Sequence, residues 1–385
     1  MESSKCLLDE FDIHLREAVK ITVNKQNLKS ISDEQFCQLK CIVQGKNSLT
    51  QTPTGSGKTW AAINAPDILG LLRDNFNYTK IPPETRVLYI VPLLAIIQTL
   101  KRELSKFEIS YQVLDSHHTG GIDQKCKVIV VTPEKLMNAG SIHNICQLSW
   151  SAIVIDEPHY ILQWGISKKI KGKYVRPFRE AFQHLNRLNG LGCPFELHTA
   201  TAFNIEELFA LLGRRDSKWI KQIKAPDRDN LSYYIVDGKN VDDVKQFKFV
   251  LEHLESDNEG ALLIYVQKIE EGSKIFYSLS EYASENGLIR WPSRDGRPER
   301  PIAFLHANLT SERKEEIIDD TIALKIKILV ATSSVGSGVN LPIKTLLGWG
   351  LDPSAAGIVQ ASGRTGRKPM ISKGSVVWVS FNLLY

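Results

Sequence analysis

The sequence is poor in the features that build disulfide frameworks, zinc sites and membrane spans. Its 385 residues include six cysteines, and no two of them have the Cys-x-x-Cys spacing of a zinc or redox site. The longest apolar run, Val87 to Ile97, is interrupted by Pro92 and is too short to cross a bilayer. The chain opens on a polar, acidic stretch that lacks the apolar core of a signal peptide. These absences exclude a secreted disulfide scaffold and a membrane protein, and they predict a soluble, cytoplasmic protein.

An excess of one charge is also missing, because the net charge is only +5. Such a mild excess permits a polyanionic partner without arguing for one, so the distribution of charge matters more. Two segments, residues 168–179 and residues 290–300, concentrate basic side chains beside aromatic ones. A solvated surface loop explains either segment taken alone. Basic residues mixed with aromatic rings are also what a nucleic-acid backbone and its bases require.

Short apolar runs rich in β-formers alternate with helical patterns through most of the chain. Each run is apolar almost throughout, as parallel strands covered on both faces should be. The candidate strands are Val87–Val91, Val128–Val131, Ala152–Ile155, Phe195–His198, Ala261–Val266, Ile302–Leu305, Ile328–Val330, Thr345–Leu347 and Val376–Val379. The alternation occurs twice, which predicts an α/β fold of two tandem P-loop-type lobes with parallel sheets. A polar, proline-containing stretch, Lys224–Asn230, separates the two sets.

A glycine-rich turn, Thr52–Thr59, follows a short candidate strand, Asn47–Gln51, and precedes a helical pattern. Strand, glycine-rich turn and helix in this order are the context of a P-loop, in which backbone N–H groups and the helix dipole face phosphates. Lys58 would bring a positive charge to the β- and γ-phosphates, and Thr59 would offer a hydroxyl to Mg²⁺. The residues predicted to bind the nucleotide here are Thr54, Gly55, Ser56, Gly57, Lys58 and Thr59.

An acidic pair, Asp156 and Glu157, stands at the end of a later candidate strand. Alone, such a pair is often only a turn, but a P-loop about a hundred residues upstream favours a functional role. Mg²⁺ needs a second protein contact near the phosphates, and the attacking water needs a base. We therefore predict Asp156 as the Mg²⁺ partner together with Thr59, and Glu157 as the general base. The predicted cofactors are ATP and Mg²⁺.

These motifs, in this order, resemble those of the superfamily 2 helicases, and most closely the RecQ group of ATP-dependent DNA helicases, over roughly residues 30 to 385. The segment Tyr160–Gly165, after Asp156-Glu157-Pro158-His159, is similar to the RecQ aromatic-rich loop, which couples strand binding to hydrolysis. Gln35 stands at the position of the family's adenine-reading glutamine. Thr199-Ala200-Thr201 matches the motif that couples the lobes.

The resemblance implies two RecA-like lobes and their contacts. It implies an ATP-binding first lobe over residues 30–225 and a helicase C-terminal lobe over residues 226–385. Residues 1–29 are predicted to be an N-terminal helical extension, because they show a helical apolar pattern with no counterpart in the family. The resemblance implies nucleic-acid contacts at Pro92, Thr132, Pro133, Trp164 and Thr332, and the basic and aromatic composition of residues 168–179 adds Lys168, Lys169 and Arg176.

In the second lobe, the resemblance assigns Gly338 and Asn340 to the nucleotide and Gln360, Arg364 and Arg367 to catalysis. The arginines also make physical sense, because a γ-phosphate in transfer gathers negative charge that a guanidinium can neutralise. Arginine fingers contribute about 10³- to 10⁵-fold in rate, so hydrolysis would depend on closure of the lobes. A surface salt bridge is the alternative explanation of these arginines.

The predicted function is a 3′-to-5′ helicase or translocase on single-stranded or partly duplex DNA, with polarity and DNA preference implied by the resemblance alone. Typical RecQ proteins add a four-cysteine zinc module and a winged helix, and no such cysteine cluster occurs here. The accessory domains are therefore expected to be absent, shortened or supplied by a partner protein. Two alternatives stay open: an RNA-dependent ATPase or RNA helicase, and a nucleotide-gated DNA-binding subunit of a larger genome-maintenance or defence assembly.

Overall fold

The computed structural model describes residues 10–53, 56–92, 94–115, 120–170, 173–201, 204–224, 228–256, 259–289, 300–332, 340–350, 355–366, 371 and 373–381. The chain divides into two compact units, Met1–Ala225 and Pro226–Tyr385. Among the described residues, no helix combines the length and the apolar character needed to span a membrane.

The first unit is a parallel sheet with helices on both faces, together with a short antiparallel hairpin. Its strands are β1 Asn47–Gln51, β2 Val87–Ile90, β3 Tyr111–Leu114, β4 Val128–Val131, β5 Ala152–Asp156, β6 Lys168–Ile170, β7 Lys173–Val175, β8 Phe195–Thr199 and β9 Trp219–Ile223. Its helices are α1 Glu10–Lys25, α2 Asp33–Val43, α3 Lys58–Phe76, α4 Leu94–Lys106, α5 Pro133–Leu136, α6 Ala139–Cys146, α7 His159–Trp164 and α8 Ile205–Leu211, with a 3₁₀ helix at Glu180–Leu191.

The strand order of this sheet brings three distant segments of the chain to one edge. Within the described residues the order is β3-β4-β2-β5-β8-β1-β9, and all neighbours run parallel. The strands β5, β8 and β1 are therefore adjacent, and their carboxyl ends lie side by side. Ligands of open α/β sheets bind outside the carboxyl ends of the strands, so the fold itself indicates where the site lies.

Alternating side chains of the strands enter two separate cores. In β2, Val87 and Tyr89 pack under α1 to α4, whereas Leu88 and Ile90 pack under α5 to α8 and the 3₁₀ helix. The helix α1 lies against α3 and contributes to the first of these cores, with Leu15 fully buried. Each large apolar side chain buried in this way contributes roughly 1.5–3 kcal/mol. The predicted N-terminal extension is thus part of the first unit's core from Glu10 onward.

The second unit repeats the architecture. Its strands are β10 Leu231–Asp237, β11 Ala261–Val266, β12 Ile302–Leu305, β13 Ile328–Ala331, β14 Ile343–Trp349 and β15 Gly374–Ser380. Its helices are α9 Lys248–Glu255, α10 Ile269–Glu285, α11 Ser311–Ile322 and α12 Ala355–Ser362, with a 3₁₀ helix at Val244–Gln246. The described strands form a parallel sheet in the order β10-β15-β14-β11-β13-β12. The helices α9 and α10 cover one face, and α11 and α12 cover the other.

The predicted fold class is confirmed, and all the candidate strands are present as strands. Five strands escaped prediction: β3, β9 and β10, each of which lies at an edge of its sheet, and β6 and β7, which form the hairpin. The basic segment 168–179 is not a simple loop, because it contains the hairpin β6–β7. The segment 290–300 lies outside the described residues, apart from Arg300.

Candidate nucleotide and nucleic-acid site

The phosphate loop leaves β1 and enters α3 at Lys58. Gly57 precedes the helix with φ +78°, in the left-handed region that favours glycine. A Cβ at this position would come within 2.5 Å of Gln35 Nε2 and would displace the end of that side chain. The Lys58 ammonium donates to Thr52 O at 2.8 Å and to Pro53 O at 3.1 Å. Thr54 and Gly55 lie outside the described residues.

Two glutamines on one face of α2 hold the start of α3. Gln35 Nε2 donates to Gly57 O at 2.9 Å, and Gln38 Nε2 donates to Lys58 O at 2.9 Å. Gln35 Oε1 also accepts from Ser32 N at 2.8 Å, in a capping box that fixes the first turn of α2. The structure thus places Gln35 against the loop, and its reading of adenine stays a prediction.

The acidic pair lies where β5 ends, in a strained turn. Glu157 has φ +47°, which is uncommon outside glycine and costs on the order of 1–3 kcal/mol. Its N–H donates to His198 O at 2.7 Å, which ties the turn to the neighbouring strand β8. Strain of this kind persists where the surrounding structure fixes the backbone, and such positions cluster at functional sites.

The Thr199 hydroxyl at the end of β8 is the meeting point of two motifs. It lies 3.2 Å from Glu157 Oε2, 3.2 Å from His159 Nδ1 and 2.7 Å from Thr201 O. His159 Nδ1 lies 3.3 Å from the same Glu157 oxygen. The structure therefore joins the Asp156–His159 motif to the Thr199–Thr201 motif through side-chain contacts.

The pKa values of the Asp156 and Glu157 carboxyl groups are shifted in opposite directions. Burial and the charge of Glu157 raise the pKa of Asp156 well above its usual range, although Lys58 opposes the shift. Burial alone would also raise the pKa of Glu157, but the hydrogen bond and charge of His159 and the charge of Lys58 lower it overall. Neighbouring carboxyls whose environments push their pKa values apart are suited to different roles. Glu157 is the one suited to accept a proton.

The residues predicted for Mg²⁺ fit that ion. A hydroxyl from Thr59 and a carboxylate from Asp156 are the hard oxygen donors that Mg²⁺ takes from protein beside substrate phosphates. A divalent cation would also offset the unfavourable burial of the Asp156 charge. Burial raises the pKa values of the Tyr89 hydroxyl and the Glu103 carboxyl, and the Thr59 hydroxyl opposes both shifts.

Glu103 is a residue of this site that the sequence analysis missed. Burial raises the pKa of its carboxyl, and its charge acts on Asp156. A signal was present, because Glu103 is a charged residue on the apolar stripe of α4, next to the buried Leu100 and Leu104. Charged side chains on a buried helix face require a partner, and here the charge of Lys106 and the Thr59 hydroxyl oppose the effect of burial on the pKa of Glu103.

A buried polar cluster lies beneath the loop, on β1 and β8. Glu196 accepts hydrogen bonds from Ser48 and from Thr50, the latter at 3.1 Å, and lies 3.3 Å from His198 Nε2. His198 also contacts Gln38. Burial raises the pKa of Glu196 and lowers that of His198 to about 3. The contact is therefore between neutral groups rather than an ion pair.

Replacing Glu196 with glutamine is expected to stabilise the protein at neutral and alkaline pH. The pKa of Glu196 is raised in the folded state. Its contribution to the free energy of unfolding is therefore fully present below its unfolded pKa of about 4.5 and is lost as pH rises. Glutamine carries no ionisable group and escapes that loss. At pH 8 we expect a gain of about 1 kcal/mol or more, roughly 2–4 °C in the unfolding midpoint, measured by calorimetry.

The control for this change is Glu206→Gln, at an exposed side chain paired with Lys221 in the same unit. It should leave the midpoint nearly unchanged, because exposed pairs contribute little. The gain from Glu196→Gln should shrink as pH falls toward 4.5. A loss of stability at pH 8 would contradict the neutral assignment of Glu196.

The residues predicted to contact nucleic acid fall into buried and exposed groups. Pro92, Thr132 and Pro133 are buried, and the Thr132 hydroxyl caps α5 by accepting from Lys135 N. Trp164 is half-buried, with the Tyr160 ring stacked on it at 3.9 Å. Exposed positions include Arg176, after β7. Lys168 and Lys169 lie on β6, with side chains outside the described set.

In the second unit the predicted catalytic motif forms a braced turn after α12. Arg228 donates to Thr365 O at 2.7 Å and also to Gly366 O, which Asn230 Nδ2 contacts at 2.8 Å. Arg364 is half-exposed between the buried Gly363 and Thr365, and its Nη1 atom is buried. Gln360 lies on α12 and is half-exposed.

The remaining second-unit predictions have mixed outcomes. Thr332 follows β13 and is buried, and Asn340 is exposed. Gly338 and Arg367 lie outside the described residues. The structure thus places Lys58 near Asp156 and Glu157 in the first unit, and it describes the predicted residues of the second unit only in part.

Two family descriptions match this chain. Residues 32–207 match the DEAD/DEAH box helicases, and residues 245–369 match the helicase conserved C-terminal domain. Both matches fall on the two units that carry the motifs described above. The chain belongs to the superfamily 2 helicases.

Curated relatives come from several helicase groups. The ATP-dependent DNA helicase Q4 of Homo sapiens is 24% identical over 85% of this chain and 26% of its own length. The ATP-dependent DNA helicase Hel308 of Thermoplasma acidophilum is 24% identical over 87% of this chain and 50% of its own length. The ATP-dependent RNA helicase vasa of Drosophila melanogaster is 23% identical over 92% of this chain and 50% of its own length. The chain spans about a quarter to a half of these relatives.

Solved structures support the fold. The helicase Lhr of Mycobacterium smegmatis superposes with a TM-score of 0.68 at 20% identity, over 96% of this chain and 47% of that one. Dbp5 of S. cerevisiae superposes with a TM-score of 0.67 at 16% identity, over 95% of this chain and 87% of that one. These solved structures show the fold alone. Because DNA and RNA helicases match about equally well among the curated relatives, the RecQ-like assignment stays a prediction.

Proposed function

We propose that this chain is the ATP-hydrolysing core of a nucleic-acid motor, most similar in its motifs to a RecQ-like 3′-to-5′ DNA helicase or translocase. In this proposal residues 30–225 form the ATP-binding lobe and residues 226–385 form the helicase C-terminal lobe. One observation carries the proposal. The carboxyl ends of β1, β5 and β8 meet at one sheet edge, where Glu157 and His159 both contact Thr199.

The residues of that edge have separate roles. The Lys58 ammonium and the N–H groups at the start of α3 bind the phosphates. Thr59 and Asp156 would hold Mg²⁺, which supplies charge neutralisation at the phosphates when it is bound. Glu157, whose pKa is lowered, accepts a proton from the attacking water. The Thr199 hydroxyl contacts the carboxylate of Glu157, the proposed general base. A shift of the Thr199–Thr201 segment would therefore alter the position of Glu157.

RNA is the second candidate substrate. An RNA helicase matches this chain as well as DNA helicases do, and an RNA-bound structure is similar in fold. Binding of single strands through stacking and backbone charge does not itself distinguish the two sugars. The proposed preference for DNA therefore rests on the RecQ-like motif Tyr160–Gly165. The alternative of a nucleotide-gated binding subunit stays open because the chain spans only part of its relatives' length.

The test is the ATPase rate with and without single strands. DNA and RNA oligonucleotides of matched length and sequence are compared. We expect DNA to give the larger increase in the ATPase rate. Heparin serves as a polyanion without bases, and it should stimulate far less if bases are bound. Displacement of streptavidin from 3′- or 5′-biotinylated strands then reports polarity. A rate that no nucleic acid increases would exclude a motor.

A further inference from the structure

The Arg179 side chain connects segments that are distant in the sequence. Its Nε and Nη2 each donate to one oxygen of Glu134 on α5, both at 2.7 Å, and its Nη1 donates to Pro92 O after β2. Its backbone N–H donates to Trp164 O at the end of α7, at 2.9 Å. One residue thus joins the ends of β2 and α7 to α5.

The geometry of these contacts requires a guanidinium. A planar fork can pair both of its N–H groups with one carboxylate and still donate to a carbonyl, whereas an ammonium is a point charge. The guanidinium also lies 5.5 Å from the Trp164 ring centroid and 5.0 Å from the Phe182 ring centroid, within the range of cation–π attraction. Arg179 is therefore linked to the aromatic cluster by its side chain as well as its backbone.

The residue before Arg179 carries an exposed ring. Phe178 is 79% exposed and meets Trp164 edge to face at 5.8 Å between ring centroids. Trp164 itself is half-buried and has Tyr160 stacked upon it. The ring that is open to a ligand is thus that of Phe178, beside the exposed Arg176. Bases of single-stranded nucleic acids stack on exposed aromatic rings of this kind.

We infer that Arg179 is a positioning residue for nucleic-acid binding, which holds the ends of β2 and α7 and the helix α5 as one surface and presents the Phe178 ring to a base. The inference rests on the proposed function. Arg179 acts through its neighbours and not on the phosphate backbone, because Glu134 already occupies its fork. Preorganisation of this kind saves the cost of ordering the three segments when a strand binds.

The test compares Arg179→Ala with a matched control, Arg73→Ala. Arg73 also pairs by two nitrogens with one carboxylate, that of Asp74, and donates to the backbone oxygens of Pro82 and Pro83. The two variants therefore lose similar sets of contacts. Binding is measured by fluorescence anisotropy without nucleotide, on a single-stranded DNA and on a strand of equal length whose internal residues are abasic. Unfolding midpoints are recorded in parallel.

We expect Arg179→Ala to weaken binding to the strand with bases about tenfold, as expected when one base loses its stacking partner. Binding to the abasic strand should change far less, because that strand has no base to place on Phe178. Phe178→Ala, which removes only an exposed ring, should reproduce the pattern. Arg179→Lys should weaken binding about as much as Arg179→Ala, because an ammonium cannot pair with both oxygens of Glu134. Adding Glu134→Gln to Arg179→Ala should weaken binding little further, because each change removes the same contact between the two side chains.

Several results would overturn the inference. Unchanged affinity in Arg179→Ala would remove the positioning role, and equal losses on both strands would make Arg179 a phosphate contact. An equal loss in Arg73→Ala would reduce the effect to general stability. If the unaltered protein binds neither single-stranded DNA nor RNA, the proposed function fails and the inference fails with it. If it binds and only the Arg179 pattern is missing, the inference alone fails.

Discussion

Glu157→Gln is expected to lower the nucleic-acid-stimulated ATPase rate by about 10²- to 10⁴-fold, the usual contribution of a general base. Glutamine preserves the size of the side chain and can still contact the Thr199 hydroxyl, but it cannot take a proton from water. The lowered pKa of Glu157 means that the carboxylate is ionised at neutral pH, so the loss should be seen across that range. Steady-state phosphate release at saturating ATP measures it.

ATP binding should survive this change, because Glu157 is not among the groups proposed to hold the phosphates. A fluorescent nucleotide titration checks that point. Glu17→Gln, at an exposed position on α1, is the control and should keep the full rate. If Glu157→Gln hydrolyses ATP at a rate near that of the unaltered protein, the base lies elsewhere, and the contacts of Glu157 with His159 and Thr199 are structural.

Arg364→Ala is expected to reduce the hydrolysis rate by about 10³-fold or more, as the loss of an arginine finger does. The physical reason is that charge developing on the γ-phosphate would lose its guanidinium partner. The turn that carries Arg364 is braced by Arg228 and Asn230 through backbone oxygens. Removal of the side chain should therefore leave the second unit folded, and single-turnover hydrolysis should show the loss directly.

Two comparisons make this result specific. Arg313→Ala removes an exposed arginine of the same unit, paired with Glu316, and should leave the rate unchanged. Arg364→Lys keeps one positive charge but loses the planar fork, so it should recover only part of the rate. If the hydrolysis rate does not change in Arg364→Ala, the alternative explanation of Arg364 as part of a surface salt bridge is favoured.

The fold was predictable where strands are buried on both faces. Strands such as β5 and β11 form continuous apolar runs, because both of their sides contact a core. The edge strands could not be found this way. The strand β10 was missed although its sequence contains an apolar run, in which Tyr233, Tyr234 and Ile235 are all exposed. The hairpin β6–β7 is rich in lysine, a composition that local patterns assign to loops.

The candidate site was predictable where its residues form local motifs, and less so where contacts are long-range. Lys58 and Asp156 stand in recognisable sequences, and the strand order brings them to one edge. The polar cluster of Glu196 and His198 was not predicted from the sequence, because the hydroxyls of Ser48 and Thr50 that contact Glu196 lie almost 150 residues away in the chain. Arg179 was only one of six basic residues in its segment, and its partner Glu134 is 45 positions distant. Such pairings depend on tertiary packing.

The place of β8 in the sheet has a consequence for how the protein folds. This strand lies between β5 and β1, although it follows both of them in the chain. β5 can pair with β2 on one side but waits for β8 on the other, and β1 has no neighbour until β8 and β9 have formed. Pairings of such long sequence separation form slowly. During synthesis, a nascent chain that ends before Phe195 would contain the phosphate loop and the acidic pair but no strand to join them. Competence to hydrolyse ATP should therefore be acquired late, once the first sheet is complete.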